Sequence, residues 1–366
     1  MPARHILIPF HDFNRGGTER VALTLAARWL DDGRQVTILC GSRAGGTIDQ
    51  ADPRIRIVSL DPPIDRSPLS RLALGPAMAA RLPELAPDVV FIPGNFHFIL
   101  ARAFKQAMPA LPIAAKVSNP LLPDLPPPLS HLAIRALRAY VRPVDALVHM
   151  ADELAARDAA LLPGHSGAVI PEPNLPSGHV PLPRTAPLDL PLILAVGRLE
   201  PQKNMALALR AFAALLKRRP ARLRILGEGV ERPRLERLAD SLGIAHAVEM
   251  PGYSTDGPSQ LAKASALLVT SRYEGYPAVV VEALAADVPV VATNCTPVLA
   301  GLLAEASAGQ MATSSPAALA SALEQVLTGP FTSGGLRPAL VAHNDAAASA
   351  RAYLALFDGL AGKPLS

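Results

Sequence analysis

Ser271-Arg-Tyr-Glu-Gly-Tyr-Pro-Ala-Val-Val-Val-Glu-Ala-Leu-Ala285 follows directly on the apolar run Ala266-Leu-Leu-Val-Thr270. The run reads as a buried strand, the Gly/Pro stretch as a loop, and Ala278–Ala285 as a helix. Pro277 suits the first helical turn, where a missing N–H is no loss. The free N–H groups and the positive dipole end of that helix then face the loop, where a phosphate would bind. Glu274 lies at the mouth of the loop and Glu282 about one turn inside the helix. Two carboxylates so placed can hold hydroxyls on either side of a diphosphate, which points to a nucleotide-sugar site. The competing reading is an ordinary strand–loop–helix unit with two solvated glutamates.

Outward from this stretch, short apolar runs alternate with helical stretches. In the first half the strand candidates are His5–Phe10, Gln35–Cys40, Arg56–Leu60, Asp88–Ile92, Ile113–Ser118 and Asp145–His149. The helix candidates between them are Thr18–Leu30, Leu69–Leu85, Phe96–Gln106, Leu129–Arg142 and Ala151–Leu161. After a proline-rich stretch the alternation restarts with strands Leu192–Val196, Arg222–Leu226, Val248–Met250, Ala266–Thr270 and Pro289–Ala292. The helices there are Met205–Arg218, Arg232–Leu242, Ser259–Lys263, Ala278–Ala285 and Pro316–Leu327. Such βαβ alternation predicts parallel, doubly wound sheets. The chain reads as an α/β protein of two Rossmann-like domains, residues 1–172 and 191–343, joined by a proline-rich linker over 173–190. A last helix, within 344–361, would pack back across the domains on a face of Ala348, Ala352, Leu356 and Leu360. In such sheets ligands bind beyond the carboxyl ends of the strands, here in the cleft between two facing domains.

Composition excludes other classes. At 366 residues the chain is long enough for two domains. With 50% hydrophobic and 18% charged residues it is globular. The net charge of +4 is too mild, and the 4% of aromatics too sparse, for nucleic acid. No apolar run approaches the roughly 20 residues that span a bilayer. Two cysteines, Cys40 and Cys295, give neither a disulfide framework nor a metal spacing. The N-terminus shows no signal-peptide pattern, so a cytoplasmic protein is expected. The 38 prolines are about double the usual share, many of them in 120–128 and 171–191, which read as loops.

Four more strand-end loops carry polar chemistry. Asn14-Arg-Gly-Gly-Thr-Glu-Arg20 offers Gly16 and Gly17, where backbone approaches a diphosphate closely, or else a plain turn capped near Thr18. Gly197-Arg-Leu-Glu-Pro-Gln-Lys-Asn204 offers Arg198 and Lys203, a guanidinium and an ammonium able to neutralise a leaving diphosphate without a metal. Asn204 is a good N-cap for the helix that follows. Gly227-Glu-Gly229 is a tight turn into a helix. Met250-Pro-Gly-Tyr253 places Tyr253 where it can stack on a base.

Together these segments resemble the retaining GT-B glycosyltransferases of family 4. The matching pieces are Gly16–Arg20, Val196–Asn204, Arg224–Gly229, Glu249–Tyr253, Ser271–Ala285 and Pro289–Thr293, in the family's order and densest over residues 190–295. The closing segment Asp345–Phe357 is similar as well. The resemblance implies transfer of a hexose or N-acetylhexosamine from a nucleotide-sugar, commonly UDP-linked, to a glycan or lipid-linked acceptor in bacterial envelope or exopolysaccharide assembly. It implies that Arg198 and Lys203 hold the donor diphosphate and that Glu282 binds the ribose hydroxyls. Glu274 would contact sugar hydroxyls, with Gly275 and Tyr276 offering backbone N–H groups. Gly17 would approach the phosphate from the other domain. No metal or other cofactor is implied.

The departures bear on the acceptor side. Many members carry a histidine at the end of a first-domain strand, where Ala115-Lys-Val-Ser-Asn-Pro120 offers Ser118 and Asn119 instead. His97, in Pro93-Gly-Asn-Phe-His-Phe98, is a further candidate, against a structural role. Asp287 stands for a usual helix-ending glycine, a position that prefers glycine for left-handed φ, though Asp tolerates it better than most residues. Glu172 stands for the linker's usual asparagine. His131, Arg135, Arg138 and Arg142 form one basic stripe on their helix. It reads either as a solvated face or as a patch for anionic lipid head groups, on the inner face of the cytoplasmic membrane, or for a lipid-diphosphate acceptor. A non-catalytic nucleotide-sugar-binding subunit is the alternative to an enzyme. Donor turnover separates the two.

Overall fold

In the computed structural model, residues 2–14, 16–67, 69–122, 126, 129–183, 190–254, 256–304, 308–329 and 338–362 are described. Arg15 of the glycine loop, part of the proline run 120–128, and residues 184–189 of the expected linker lie outside them. The chain divides into two units, Met1–Ser177 with Asn344–Ser366, and Gly178–His343.

Unit 1 is built on strands β1 (His5–Phe10), β2 (Gln35–Cys40), β3 (Arg56–Ser59), β4 (Val89–Ile92), β5 (Ile113–Lys116), β6 (Ala146–His149) and β7 (Gly167–Val169). They form one parallel sheet in the order β3-β2-β1-β4-β5-β6-β7. Its helices are α1 (Gly17–Asp31), α2 (Ser70–Ala79), α3 (Leu82–Leu85), α4 (Leu100–Ala107), α5 (Leu129–Val141) and α6 (Asp152–Ala159). Alternation along β1 sends Ile6, Ile8 and Phe10 into one apolar layer and Leu7 into the opposite one. Both faces are therefore covered, as a parallel sheet requires.

Unit 2 repeats the plan. Strands β8 (Leu192–Val196), β9 (Arg222–Leu226), β10 (Val248–Gly252), β11 (Ala266–Val269), β12 (Val290–Thr293) and β13 (Gly309–Ala312) form a parallel sheet in the order β10-β9-β8-β11-β12-β13. The helices are α7 (Met205–Leu216), α8 (Arg232–Ser241), α9 (Gly257–Lys263), α10 (Ala278–Ala285), α11 (Val298–Leu302), α12 (Pro316–Thr328) and α13 (Pro338–His343). Asp287, just past α10, takes φ +59°, the left-handed conformation expected of it.

Four expectations change. The helix expected over 69–85 breaks into α2 and α3, because Pro83 enters at the first turn of α3 and cannot continue the preceding ladder. The helix expected over 96–106 opens as a 3-10 turn, Asn95–His97, and becomes regular only at α4. β7 and β13 were not expected, since both are short edge strands without an apolar run. The closing helix, α14 (Ala346–Ala361), buries Ala346, Ser349, Ala350, Tyr353, Leu354, Phe357 and Leu360, whereas Ala352 is exposed. In an alanine-rich helix several stripes fit a 3.6-residue period, and the aromatic rings choose among them.

That choice fixes the core of unit 1. Trp29 of α1 meets Phe91, Tyr353 and Phe357 edge-on at 5.5, 6.0 and 5.2 Å between centroids. Its indole N–H donates to the Ala350 carbonyl at 3.2 Å. Arg34 grips Asp358 through both terminal nitrogens, at 3.0 and 2.8 Å. Nearby, Leu175 and Asn344 pair through backbone, and the Ser349 hydroxyl donates to the Pro171 carbonyl at 2.7 Å. The buried Lys116 ammonium donates to both oxygens of Glu172, at 2.8 and 3.1 Å.

Phe357→Ala should cost about 3–5 kcal/mol in urea unfolding, the range for deleting a buried aromatic. The Tyr353 hydroxyl is buried and, among the described residues, has no hydrogen-bond partner. Tyr353→Phe should therefore stabilise the protein by about 1 kcal/mol, and a loss of stability would show that the hydroxyl is satisfied after all.

Candidate functional site

In unit 2 the chain runs from β8 outward through β9 to β10, then resumes at β11 on the other side of β8. Loops that leave β8 and β11 must part in opposite directions, which opens a crevice at the carboxyl ends of these strands. Both expected donor loops stand there. The backbone N–H of Arg272 donates to the Gln202 carbonyl at 2.8 Å. The Gln202 side chain donates to the Tyr273 carbonyl at 3.1 Å. The Thr270 hydroxyl reaches the carbonyls of Lys203 and Asn204 at 3.2 and 3.1 Å.

Across this seam the Lys203 ammonium donates to Glu274 Oε1 at 2.6 Å. The Ser271 hydroxyl donates to the same oxygen at 2.5 Å. Glu274 is buried, 8% exposed. Two donors on one oxygen fix the carboxylate and leave Oε2 as its remaining acceptor. Arg198 is placed differently. Its guanidinium pairs with Glu200 at 2.7 Å and its side chain is 52% exposed. An exposed pair of this kind holds weakly, at most about 1 kcal/mol, so Arg198 can exchange Glu200 for another anion. The two cations read as one clamp in the sequence thus have separate partners here.

The glycines of the neighbouring turn are set by packing. Gly227 has φ +143°, and a Cβ there would collide with the Gly197 carbonyl, while a Cβ on Gly197 would press on the Lys203 side chain. Two capping expectations change. Asn204 occupies the N-cap of α7, but in a left-handed conformation (φ +50°) and without a side-chain cap bond. Pro277 is the N-cap of α10 and not its first helical residue. The first helical N–H, that of Ala278, is bonded to the Tyr276 carbonyl at 3.0 Å. Glu282 lies in the second turn of α10, half-buried, and Tyr253, past β10, is 45% exposed.

Sequence reasoning missed what holds the Glu274 loop. The Glu274 N–H donates to the Cys295 carbonyl at 2.8 Å. The Thr293 hydroxyl donates to the Ser271 carbonyl at 2.8 Å, and that of Thr296 to the Gly275 carbonyl at 2.9 Å. The loop after β12 is therefore a strap for the loop after β11. Burial, with the Glu274 charge beside it, pushes the Cys295 thiol up to about 12 and keeps it an inert packing group. Ser271 had a readable signal, three residues before Glu274 in one loop. The two threonines had none.

Unit 1 has its own crevice, between β1 and β4. Gly16 is the N-cap of α1, where a methyl would run into the Glu19 carboxylate. A methyl at Gly17 would meet nothing within 4 Å. Ser118 and Asn119 are held by Asn95, whose Oδ1 accepts from the Ser118 N–H at 2.8 Å and whose amide donates to the Asn119 carbonyl at 2.9 Å. His97 does not stand open to a ligand. It is 3% exposed, its Nε2 accepts the His11 backbone N–H at 3.1 Å, and burial with Arg66 nearby pushes it down to about 3. On α5, Arg135 is exposed, while Arg138 Nε turns to the Leu161 carbonyl at 2.8 Å. Only Leu137 and Val141 of that helix are buried, and Leu132 stands 68% exposed.

Two family models match the chain. The model for glycosyl transferases group 1 matches residues 183–340, and that for the glycosyl transferase 4-like domain matches residues 16–174. An uncharacterized glycosyltransferase of Haemophilus influenzae is 34% identical over 123 residues, 33% of this chain and 35% of that protein. The N-acetylgalactosamine-N,N'-diacetylbacillosaminyl-diphospho-undecaprenol 4-alpha-N-acetylgalactosaminyltransferase of Campylobacter jejuni is 37% identical over 102 residues, 28% of this chain and 27% of that protein. The chain thus matches about a third or less of the length of these relatives. HepE of Anabaena, solved in complex with UDP and glucose, is similar in structure, with a TM-score of 0.76 at 16% identity over 97% of this chain and 99% of that one.

His97 is neutral in the folded protein and titrates near its ordinary value when unfolded, so below pH 6.5 the unfolded chain binds the extra proton. Its contribution is intact above pH 6.5 and is lost as the pH falls toward about 3. Burial lowers His5, His11 and His165 as well, so the readout is a difference. His97→Gln keeps an acceptor for His11. It should flatten the fall in unfolding free energy between pH 6.5 and 4, and an unchanged slope would contradict the buried neutral state.

Proposed function

The chain belongs to the GT-B glycosyltransferases of family 4, and from that premise we propose that it moves a sugar from a nucleotide-sugar, with retention of configuration, to an acceptor in polysaccharide or lipopolysaccharide assembly. The observation that carries this reading is the Lys203–Glu274–Ser271 cluster, with Arg198 beside it, on the two loops of the β8/β11 crevice. Donor specificity and reaction share that cluster. Glu274, fixed through Oε1, offers Oε2 to a sugar hydroxyl. Arg198 exchanges Glu200 for the diphosphate, whose charge grows as the bond to the anomeric carbon breaks. Cationic groups placed in advance stabilise that charge, so the reading assigns no metal. The departing phosphate oxygen takes the acceptor's proton on the same face of the sugar, and no separate base is assigned.

Glu282 takes the ribose hydroxyls, Gly275 and Tyr276 give backbone N–H groups, and Tyr253 stacks on the base past the Gly227 turn. UDP is the proposed carrier, with a hexose or N-acetylhexosamine, and the crystal structure of HepE with UDP and glucose supports it. A lipid-linked or glycan acceptor is supported by the name of the Campylobacter relative, which contains a diphospho-undecaprenol. Among the described residues no helix is long and apolar enough to cross a membrane.

Incubation with UDP-, GDP- and ADP-sugars, with and without chelator, should release nucleotide from one donor regardless of chelator. Arg198→Ala should lower that release about 10²–10³-fold, as loss of one transition-state donor does. A near-wild-type rate would remove Arg198 from the chemistry. Binding of a donor with no release under any acceptor would favour a non-catalytic binding subunit. Gly17→Ala meets open space, so it should leave the melting temperature unchanged or slightly raised. A fall in turnover in that variant would then report ligand approach to the backbone, and full turnover would deny it.

A further inference from the structure

The crevice of unit 1 holds a cluster for which the donor chemistry has no use. Asp12, two residues past β1 and 2% exposed, accepts from Arg66 Nε and Nη2 at 2.7 and 3.0 Å and from the Asn14 N–H at 3.0 Å. Burial pushes the Asp12 carboxyl up, but these bonds outweigh it and hold the group below the usual carboxylate range. Arg66 also has Glu19 within electrostatic reach, so its charge is matched. Its guanidinium lies over the Phe96 ring at 5.0 Å, and the His11 imidazole stacks on the same ring at 5.8 Å.

A second guanidinium shares that ring. Arg71, in the first turn of α2, lies over Phe96 at 4.9 Å. Arg71 is exposed, and among the described residues it has neither a carboxylate partner nor a hydrogen bond. The cation is thus held near the aromatic face while, among the described residues, its five N–H donors stay unspent. That combination suits a tetrahedral oxyanion. The cluster sits where β1 and β4 diverge, the place in such a sheet where ligands bind. Its rim is apolar. Leu69 and Leu72 flank Arg71 at 71% and 64% exposure, and Tyr140 of α5 lies over Phe98 at 6.5 Å with Arg71 in its field.

We propose that Arg71, stacked on Phe96 beside the Arg66–Asp12 pair, binds a phosphate or diphosphate group of the acceptor. Calling that ligand the acceptor rests on the transfer reading above, but the anion site itself does not. The phosphate is borne either by a lipid, whose chain would lie along Leu69 and Leu72, or by a soluble sugar.

The test is calorimetric binding of inorganic pyrophosphate and of farnesyl diphosphate to the full chain. Its donor site is silenced by Arg198→Ala with Lys203→Ala or, in the unaltered protein, by saturating donor nucleotide. Arg71→Ala should weaken both probes roughly 10- to 100-fold, as loss of a charge-assisted contact does. Arg71→Lys, which keeps charge but not the planar stack, should fall between. Equal affinity in Arg71→Ala, or no binding of either probe to the parent, overturns the site. Tighter binding of farnesyl diphosphate that is lost in Leu69→Ser with Leu72→Ser assigns the phosphate to a lipid. Equal affinity for the two probes assigns it to a soluble acceptor. Arg71-dependent binding in a protein that releases no nucleotide from any donor would end the transfer reading and leave the anion site standing.

Discussion

A parallel sheet whose chain begins in the middle and grows outward on both sides leaves one gap it cannot close. The loops after the first strand and after the strand on its far side must turn apart, because their helices cover opposite faces. Each unit of this protein has one such gap, between β1 and β4 and between β8 and β11. Nearly all the polar chemistry described above follows from it. At these two places backbone and side chains lose their neighbours on one side, and they must find partners in loops distant in sequence. Lys203 and Glu274 are 71 positions apart and Asp12 and Arg66 are 54. The first pair joins the two loops of its gap, and in the second Arg66 reaches Asp12, at the gap, from the loop after β3.

The two gaps use charge differently. In unit 2, Lys203 and Ser271 spend their protons on one oxygen of a buried carboxylate, and the exposed Arg198 rests on Glu200. Burial makes the first arrangement rigid, since removing either partner would strand a charge in a poorly solvated place. Exposure makes the second exchangeable. The transfer proposed above, which must both recognise a sugar and let go of a diphosphate, would use one of each. In unit 1 the rigid member is Arg66 on Asp12, and the exchangeable one is Arg71, which rests on a ring and, among the described residues, has no counter-ion.

How much of this was legible follows the same division. The central strands were readable almost residue by residue, because burial on both faces forces continuous apolar runs such as Leu192–Val196. The edge strands β7 and β13 were not, since each is short, opens on a glycine and carries no apolar run. The face of α14 was misread because its alanines fit several stripes, while Tyr353 and Phe357 settle the matter only once Trp29 and Phe91 are in place. Loop residues that act within one loop, Glu274 and Ser271, carried a signal in their spacing. Thr293, Thr296, Arg66 and Arg71 did not, because what they touch is set by the sheet order and not by the local sequence.

The departures from the family pattern show how such contacts constrain one another. Glu172 stands where an asparagine is usual in the linker, and the sequence alone gives no reason for it. In the fold it faces Lys116, which is 1% exposed at the end of β5. An ammonium at that depth is tolerable only with a full opposite charge beside it, and an asparagine amide would leave it unneutralised. Residue 172 also lies in the segment, Pro171 to Leu175, that is bonded to the start of α14. A lysine in β5 thus dictates the chemistry of the residue that leaves unit 1. The glutamate at position 172 is therefore accounted for by the buried charge of Lys116.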